Sequence, residues 1–206
     1  MFVYHLIVEM PKLDKKVLVV GGAFDPPHIA HINVPKAVAE FVCAEKIIFV
    51  PSGISPHKGK IQTPANIRLQ MLQIALSNKD LSCVIDTFEI DNKKVVYAWE
   101  TLEHIQKRNL LAKLFLFVGS DWAKDLPTWK NFDKILEIAK PIIANRIGYK
   151  INTINYPHLL YETSGYNISS SLLKEYLKKE QYDDDRVIRY INPNVLEFIK
   201  NNKVYC

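Results

Sequence analysis

Paired cysteine is missing from this chain. Its three cysteines, Cys43, Cys83 and Cys206, are widely spaced and form no CxxC pair. That argues against a disulfide scaffold and a zinc knuckle, and for free thiols in a reducing compartment. No apolar run approaches the roughly 20 residues of a membrane span. The opening "MFVYHLIVEMPKLDKK" has neither the basic leader nor the small-residue cleavage site of a secretory signal. A cytoplasmic protein with no membrane partner is the expectation. Blocks of one charge are absent too: the net charge is +5, with acidic residues spread among the basic ones and no basic arm. This excess suits a phosphate-rich ligand and gives no case for nucleic acid. Internal repeats, low-complexity tracts and linkers are also lacking. Residues 1–206 are therefore expected to form a single domain, with 1–15 an N-terminal extension and 168–206 a helical C-terminal part. A homo-oligomer is compatible with all of this.

What the chain does have is material for a core, with 48% apolar and 11% aromatic residues. Short, continuously apolar runs at 16–22, 46–53, 82–90, 114–121 and 140–146 read as strands buried on both faces of a parallel sheet. A further strand is expected at 158–163. Between the runs, helical spacing brings Ile32, Ala39 and Val42 onto one face, then Ile67, Met71, Ile74 and Ala75, then Leu102 and Ile105. Helices at 170–181 and 192–202 close the chain. The alternation predicts an α/β fold, a doubly wound, Rossmann-like parallel sheet with a helical C-terminal part. Ligands of such sheets collect beyond the carboxyl ends of the strands, where strand order reverses. The strand endings GG, PSG and GSD would all lie on that rim.

The densest chemistry is "GGAFDPPHIAH" at 21–31, a strand-to-helix junction. Gly21 and Gly22 permit close backbone approach, and Pro26 and Pro27 stiffen the turn. His28 and His31 share a face if the helix begins here. A helix N-terminus favours a phosphate, and imidazoles beside it can donate to the same oxygens. Taken alone, a glycine pair after a strand is ordinarily a plain turn and two histidines at this spacing a surface pair. Two histidines without a third ligand on their face also make a poor zinc site, so no protein-held metal is expected. "ISSSLLK" at 168–174 offers a second helix mouth, with Ser169, Ser170 and Ser171 as caps and hydroxyl donors and Lys174 as a point charge. Without the other motifs it reads equally well as an ordinary cap.

"GGAFDPPHIAH" resembles the GxFDPxHxGH signature of the HxGH nucleotidyltransferase superfamily, through Gly22, Phe24, Asp25, Pro26, His28 and His31. Ala30 stands where that signature has glycine. Further segments resemble one branch, the bacterial nicotinate-nucleotide adenylyltransferases. "VPSGISPHK" carries its PHK at Pro56, His57 and Lys58, "RLQMLQIAL" its RxxML helix, and "GSDWAKDLPTW" its LPxW segment with Gly119, Asp121 and Trp129. "ISSSLLK" is similar to its ISSTxxR, with Lys174 replacing arginine, and "VVYAWETL" to its SYT…TL, with Val96 and Ala98 replacing serine and threonine.

This resemblance implies adenylyl transfer from ATP to nicotinate mononucleotide, giving nicotinate adenine dinucleotide and pyrophosphate. The nucleophile is then an anionic phosphate oxygen that needs no general base, in keeping with the lack of a persuasive Ser/His/Asp or Cys/His arrangement. It implies His28 and His31 as catalytic residues, His31 being the better candidate for the transition-state contact. ATP would be held by Gly22, Ala23, Phe24, Asp25, His28, His31, Lys58, Gly119, Asp121, Ile168, Ser169, Ser170, Ser171 and Lys174. Nicotinate mononucleotide would be held by Lys58, Tyr97, Ala98, Trp122, Trp129 and Arg146. Trp129 would stack on the pyridinium, a cation–π contact of ~1–2 kcal/mol. Mg2+ would accompany ATP and keep most of its waters. Two other readings are carried alongside: an adenylyltransferase acting on nicotinamide mononucleotide or another phosphate acceptor such as phosphopantetheine, and a nucleotide-binding module without turnover.

Overall fold

The computed structural model describes residues 15–54, 63–77, 82–145, 154–163 and 166–205. Among the described residues, six parallel strands form one sheet in the order β3-β2-β1-β4-β5-β6. They are β1 (Lys15–Gly22), β2 (Lys46–Pro51), β3 (Cys83–Ile85), β4 (Ala112–Gly119), β5 (Ala139–Asn145) and β6 (Leu159–Glu162). The predicted doubly wound, Rossmann-like sheet is the observed one. Strand order reverses between β1 and β4, which pair from Lys15↔Ala112 to Val19↔Leu116. Beyond that pair, the ends Gly22 and Gly119 open the crevice that such topology provides.

Because successive side chains of a strand face opposite sides, β1 serves two cores. Leu18 and Val20 pack with Phe49, Phe115 and the α1 residues Val38 and Ala39. Val17 and Val19 pack with Leu116, Val118, Leu102, Ile105 and Ile135. The helices that cover the sheet are α1 (Ile29–Val42), α2 (Ala65–Ala75), α4 (Ala98–Arg108) and α5 (Phe132–Ile138). A third cluster joins Met71 of α2 to Leu173, Leu177, Val187, Val195 and Ile199. These come from α6 (Ser170–Lys178), α7 (Asp185–Tyr190) and α8 (Pro193–Asn201), the helical C-terminal part.

Three local outcomes differ from the pattern reading. The apolar run at 82–90 is a strand only over Cys83–Ile85, and Phe88–Asp91 forms a one-turn helix, α3. The Asp86 carboxylate accepts the Phe88 N–H at 2.9 Å and turns the chain there, a side-chain bond that competes with the strand ladder. Helix α6 ends at Lys178, short of 181, and Glu180 takes a left-handed φ of 55°. Helix α7 then starts on the Asp184 cap, whose carboxylate accepts the Arg186 N–H. Among the described residues no helix is long and apolar enough to cross a membrane.

Candidate active site

A cleft of about 610 Å3 lies over the carboxyl ends of β1 and β4. One half is built by the β1–α1 junction. Phe24, at φ 50°, reverses the chain after Gly22, and its ring is buried beneath the loop. A side chain at Gly22 would put its Cβ 3.1 Å from that ring, a tight contact that the ring would have to yield to. His28, 3% exposed, is the N-cap of α1, and His31 stands one turn on. Their rings stack with centroids 3.7 Å apart, and the edge of Phe24 meets His31 at 5.4 Å. The His28 N–H donates to His31 Nδ1 at 3.3 Å. In a neutral ring that leaves the His31 proton on Nε2, the donor a ligand oxygen would meet.

The α6 mouth closes the same half. Ser169 Oγ caps the helix by accepting the Leu172 N–H, and Ser170 Oγ donates to the Pro26 carbonyl at 2.9 Å. Lys174 Nζ forms an ion pair with Asp25. Asp25, 2% exposed, also accepts the Tyr205 hydroxyl at 2.8 Å. Burial and the Asp25 carboxylate push the Tyr205 phenol up, so it stays a donor. Gly119, Asp121, Ala23 and Ser171 complete the lining. At Gly119 an added Cβ would fall 2.4 Å from Asp121 Oδ1, so glycine makes room for that carboxylate to fold back. Ala30 lines a small side cavity of about 80 Å3 with His31, Val34, Phe117 and Tyr166, and packs on the C-terminal cluster. The structure has room for its methyl.

The other half is aromatic. Trp122 and Trp129 meet edge to face at 6.4 Å, Trp129 being set by the 3-10 turn Leu126–Thr128. Next to Trp122, the Ala123 carbonyl accepts the Tyr156 hydroxyl at 2.6 Å, and burial pushes that phenol up to about 12. Tyr97 is the N-cap of α4, and the Glu100 carboxylate accepts its N–H at 2.9 Å. Tyr97 and Ala98 therefore present a helix N-terminus to the cleft, and Lys130 sits 4.4 Å over the Tyr97 ring.

The cleft thus brings together most of the residues singled out in the sequence. Ile168 is the exception: it is 4% exposed and packs in the C-terminal helical cluster, away from the lining. Lys58 and Arg146 lie outside the described residues.

Four supporting residues escaped the sequence reading. Arg68 of α2 is 1% exposed and donates to three carbonyls, Thr63 at 3.1 Å, Ala23 at 2.8 Å and Ser52 at 2.6 Å. It thereby ties the β1 loop to the β2 loop. Glu89 of α3 accepts the Thr101 hydroxyl at 2.8 Å and the Gly53 N–H, and burial pushes its carboxyl up to about 7. Lys130 and Tyr205 are the others. The RxxML segment marked Arg68; nothing local marked the rest. The Tyr205→Phe variant is expected to lose about 1–3 kcal/mol of stability, the scale for a buried hydrogen bond to a charged group. Urea unfolding checks it, with an unchanged midpoint as the contrary result.

The family model for cytidylyltransferase-like proteins matches residues 19–176. A probable nicotinate-nucleotide adenylyltransferase of Clostridium acetobutylicum is 32% identical over 203 residues, covering 93% of this chain and 99% of that protein. One of Clostridium botulinum is likewise 32% identical, covering 94% and 99%. In structure, the nicotinic acid mononucleotide adenylyltransferase of Plasmodium falciparum complexed with NaAD superposes with a TM-score of 0.79 at 21% identity, over 93% of this chain and 97% of that one. At that identity the likeness speaks for the fold. The sequence matches carry the assignment further: the chain belongs to the cytidylyltransferase-like family, in its nicotinate-nucleotide adenylyltransferase branch.

Proposed function

We propose that this chain transfers the adenylyl group of ATP to nicotinate mononucleotide, forming nicotinate adenine dinucleotide and pyrophosphate. The observation that carries the reading is the two-sided cleft. Two helix N-termini and two imidazoles line one half, and a tryptophan pair with a third helix N-terminus lines the other. The first half suits phosphates, the second a flat ring bearing an anionic substituent. The family assignment, drawn from relatives named for this reaction, points the same way.

In this reading the mononucleotide phosphate attacks the α-phosphorus of ATP in line and pyrophosphate departs. Both reactants are anions, so the work is alignment and charge neutralisation. His28 and His31 face the reacting phosphates, His31 donating through Nε2 as charge builds. The Ser169–Ser171 mouth, Lys174 and Lys58 hold the β- and γ-phosphates, while Gly22, Ala23, Phe24, Asp25, Gly119 and Asp121 shape the nucleotide side. Lys174 shares its charge with Asp25, which sets the ammonium at the mouth as a fixed point charge. Trp122, Trp129, Tyr97, Ala98 and Arg146 receive the mononucleotide. Among the described residues no three histidine, cysteine or acidic side chains converge as a metal cage. Mg2+ accompanying ATP would supply further charge neutralisation at the phosphates.

The test is pyrophosphate release from ATP with nicotinate mononucleotide, nicotinamide mononucleotide and phosphopantetheine in parallel. The expected result is the highest kcat/KM with the nicotinate form. Binding of ATP and mononucleotide without release would make the chain a binding module, and a preference for either other acceptor would replace the substrate.

A further inference from the structure

Glu89 takes no part in the phosphate chemistry, yet it forms part of the wall of the acceptor half beside Tyr97, Ala98 and Thr101. Its carboxyl joins two pieces of that wall. It accepts the Thr101 hydroxyl from the first turns of α4 and the Gly53 N–H from the loop after β2. The fit is close, since a Cβ on Gly53 would fall 2.0 Å from the Glu89 backbone carbonyl. A bridge between Ile54 and Val95 joins the same two segments just before Tyr97. The carboxyl is thus fixed within the stretch of wall that Glu89 shares with Tyr97, Ala98 and Thr101.

We propose that Glu89 is a specificity-determining residue, one whose charge state sets how well the acceptor pocket takes a carboxylate-bearing pyridine mononucleotide relative to its neutral amide counterpart. This rests on the pyridine-mononucleotide reading of the acceptor half. A neutral Glu89 leaves the carboxylate unopposed, and an ionised one places a like charge near it. The amide carries no such charge and is indifferent.

The groups facing Glu89 set where the change falls. Burial raises its pKa from the ordinary glutamate value to about 7, Asp86 adds to the rise, and Arg68, Thr101 and Gly53 oppose it. On α4, His104 and Arg108 are turned to the Asp86 carboxylate, at 3.3 and 3.6 Å. Asp25, Asp121, Lys130 and Lys174 lie elsewhere around the same cleft. Protonated below its pKa and charged above it, Glu89 should favour the acid substrate at low pH and lose that preference as pH rises through about 7.

The experiment measures kcat/KM for nicotinate and nicotinamide mononucleotide from pH 6 to 8.5 and takes their ratio. Both carry the same phosphate, so its ionisation cancels. The expected result is an acid-to-amide ratio that falls about tenfold across the range, the size of a one-unit pKa coupling between two carboxyls. In Glu89→Gln, which keeps an oxygen for Thr101, the ratio should stay high and flat. In Thr101→Val, which removes a bond favouring the charged form, the fall should move to higher pH. Calorimetry in buffers of different ionisation heat gives a readout free of turnover: wild type should take up protons on binding the acid and none on binding the amide. A flat wild-type ratio, an unchanged fall in Glu89→Gln, or equal proton uptake with both ligands overturns the proposal. If neither mononucleotide binds, the acceptor reading itself fails, and the proposal falls with it.

Discussion

Replacing His31 with alanine is expected to lower kcat by about two to three powers of ten, the scale for losing one oriented donor at a developing charge. The expectation comes from how firmly the ring is held. His28 stacks on it, Phe24 meets its edge, and its Nδ1 accepts the His28 N–H. That bond leaves Nε2 as the donating nitrogen of the neutral ring. The contact strengthens as charge develops, so KM for ATP should change far less than kcat. Two further replacements separate reach from packing. Asparagine keeps an acceptor where Nδ1 stands but no donor at the distance of Nε2, and should be nearly as poor as alanine. Glutamine restores a donor at that distance and should recover part of the rate. Steady-state pyrophosphate release decides this, with thermal unfolding to confirm that each variant folds. Near wild-type turnover in a folded alanine variant would remove His31 from the chemistry.

The largest effect on stability is expected at Arg68. Its guanidinium occupies a fully buried position and donates to Thr63, Ala23 and Ser52 at once, with the Asp25 and Glu89 carboxylates near enough to be felt. Alanine there leaves three carbonyls short of a donor and two carboxylates short of a counter-charge. The loss should be about 3–5 kcal/mol, as when one partner of a buried charged network is removed. Lysine should not rescue it, because a single ammonium cannot reproduce a planar fork aimed at three acceptors. Urea unfolding of Arg68→Ala and Arg68→Lys measures both statements; a midpoint near wild type in either would refute the corresponding one. Activity should fall even where folding survives, since the β1 and β2 loops lose their common tie.

The elements that the sequence foretold are those whose cause is local. The run at 16–22 is apolar because β1 is covered on both faces, and its ending in two glycines reports the turn directly. His28 and His31 were legible because capping and helical spacing act over one turn. Arg68, Glu89 and Tyr205 work differently. Each takes partners from other elements, and only Arg68, in the RxxML segment, carried a local mark. Ile168 shows a related point: it heads the serine motif, yet its side chain is buried by residues of the C-terminal helices that the motif does not contain. Helix α3 interrupts an apolar run because Asp86 closes on the Phe88 N–H, a bond that depends on side-chain geometry and not on apolar pattern.

Asp25 connects this architecture to the order in which the chain is made. Its carboxylate receives Lys174 from 149 residues away and Tyr205 from 180 residues away. The signature loop therefore leaves the ribosome well before the Lys174 and Tyr205 that complete the partners of its buried acid. Contacts of such separation form late, because closing the intervening loop costs entropy before any bond returns it. The signature loop is thus made before these partners and locked only after them. Nucleotide binding by nascent chains should switch on only when residue 205 has cleared the ribosome.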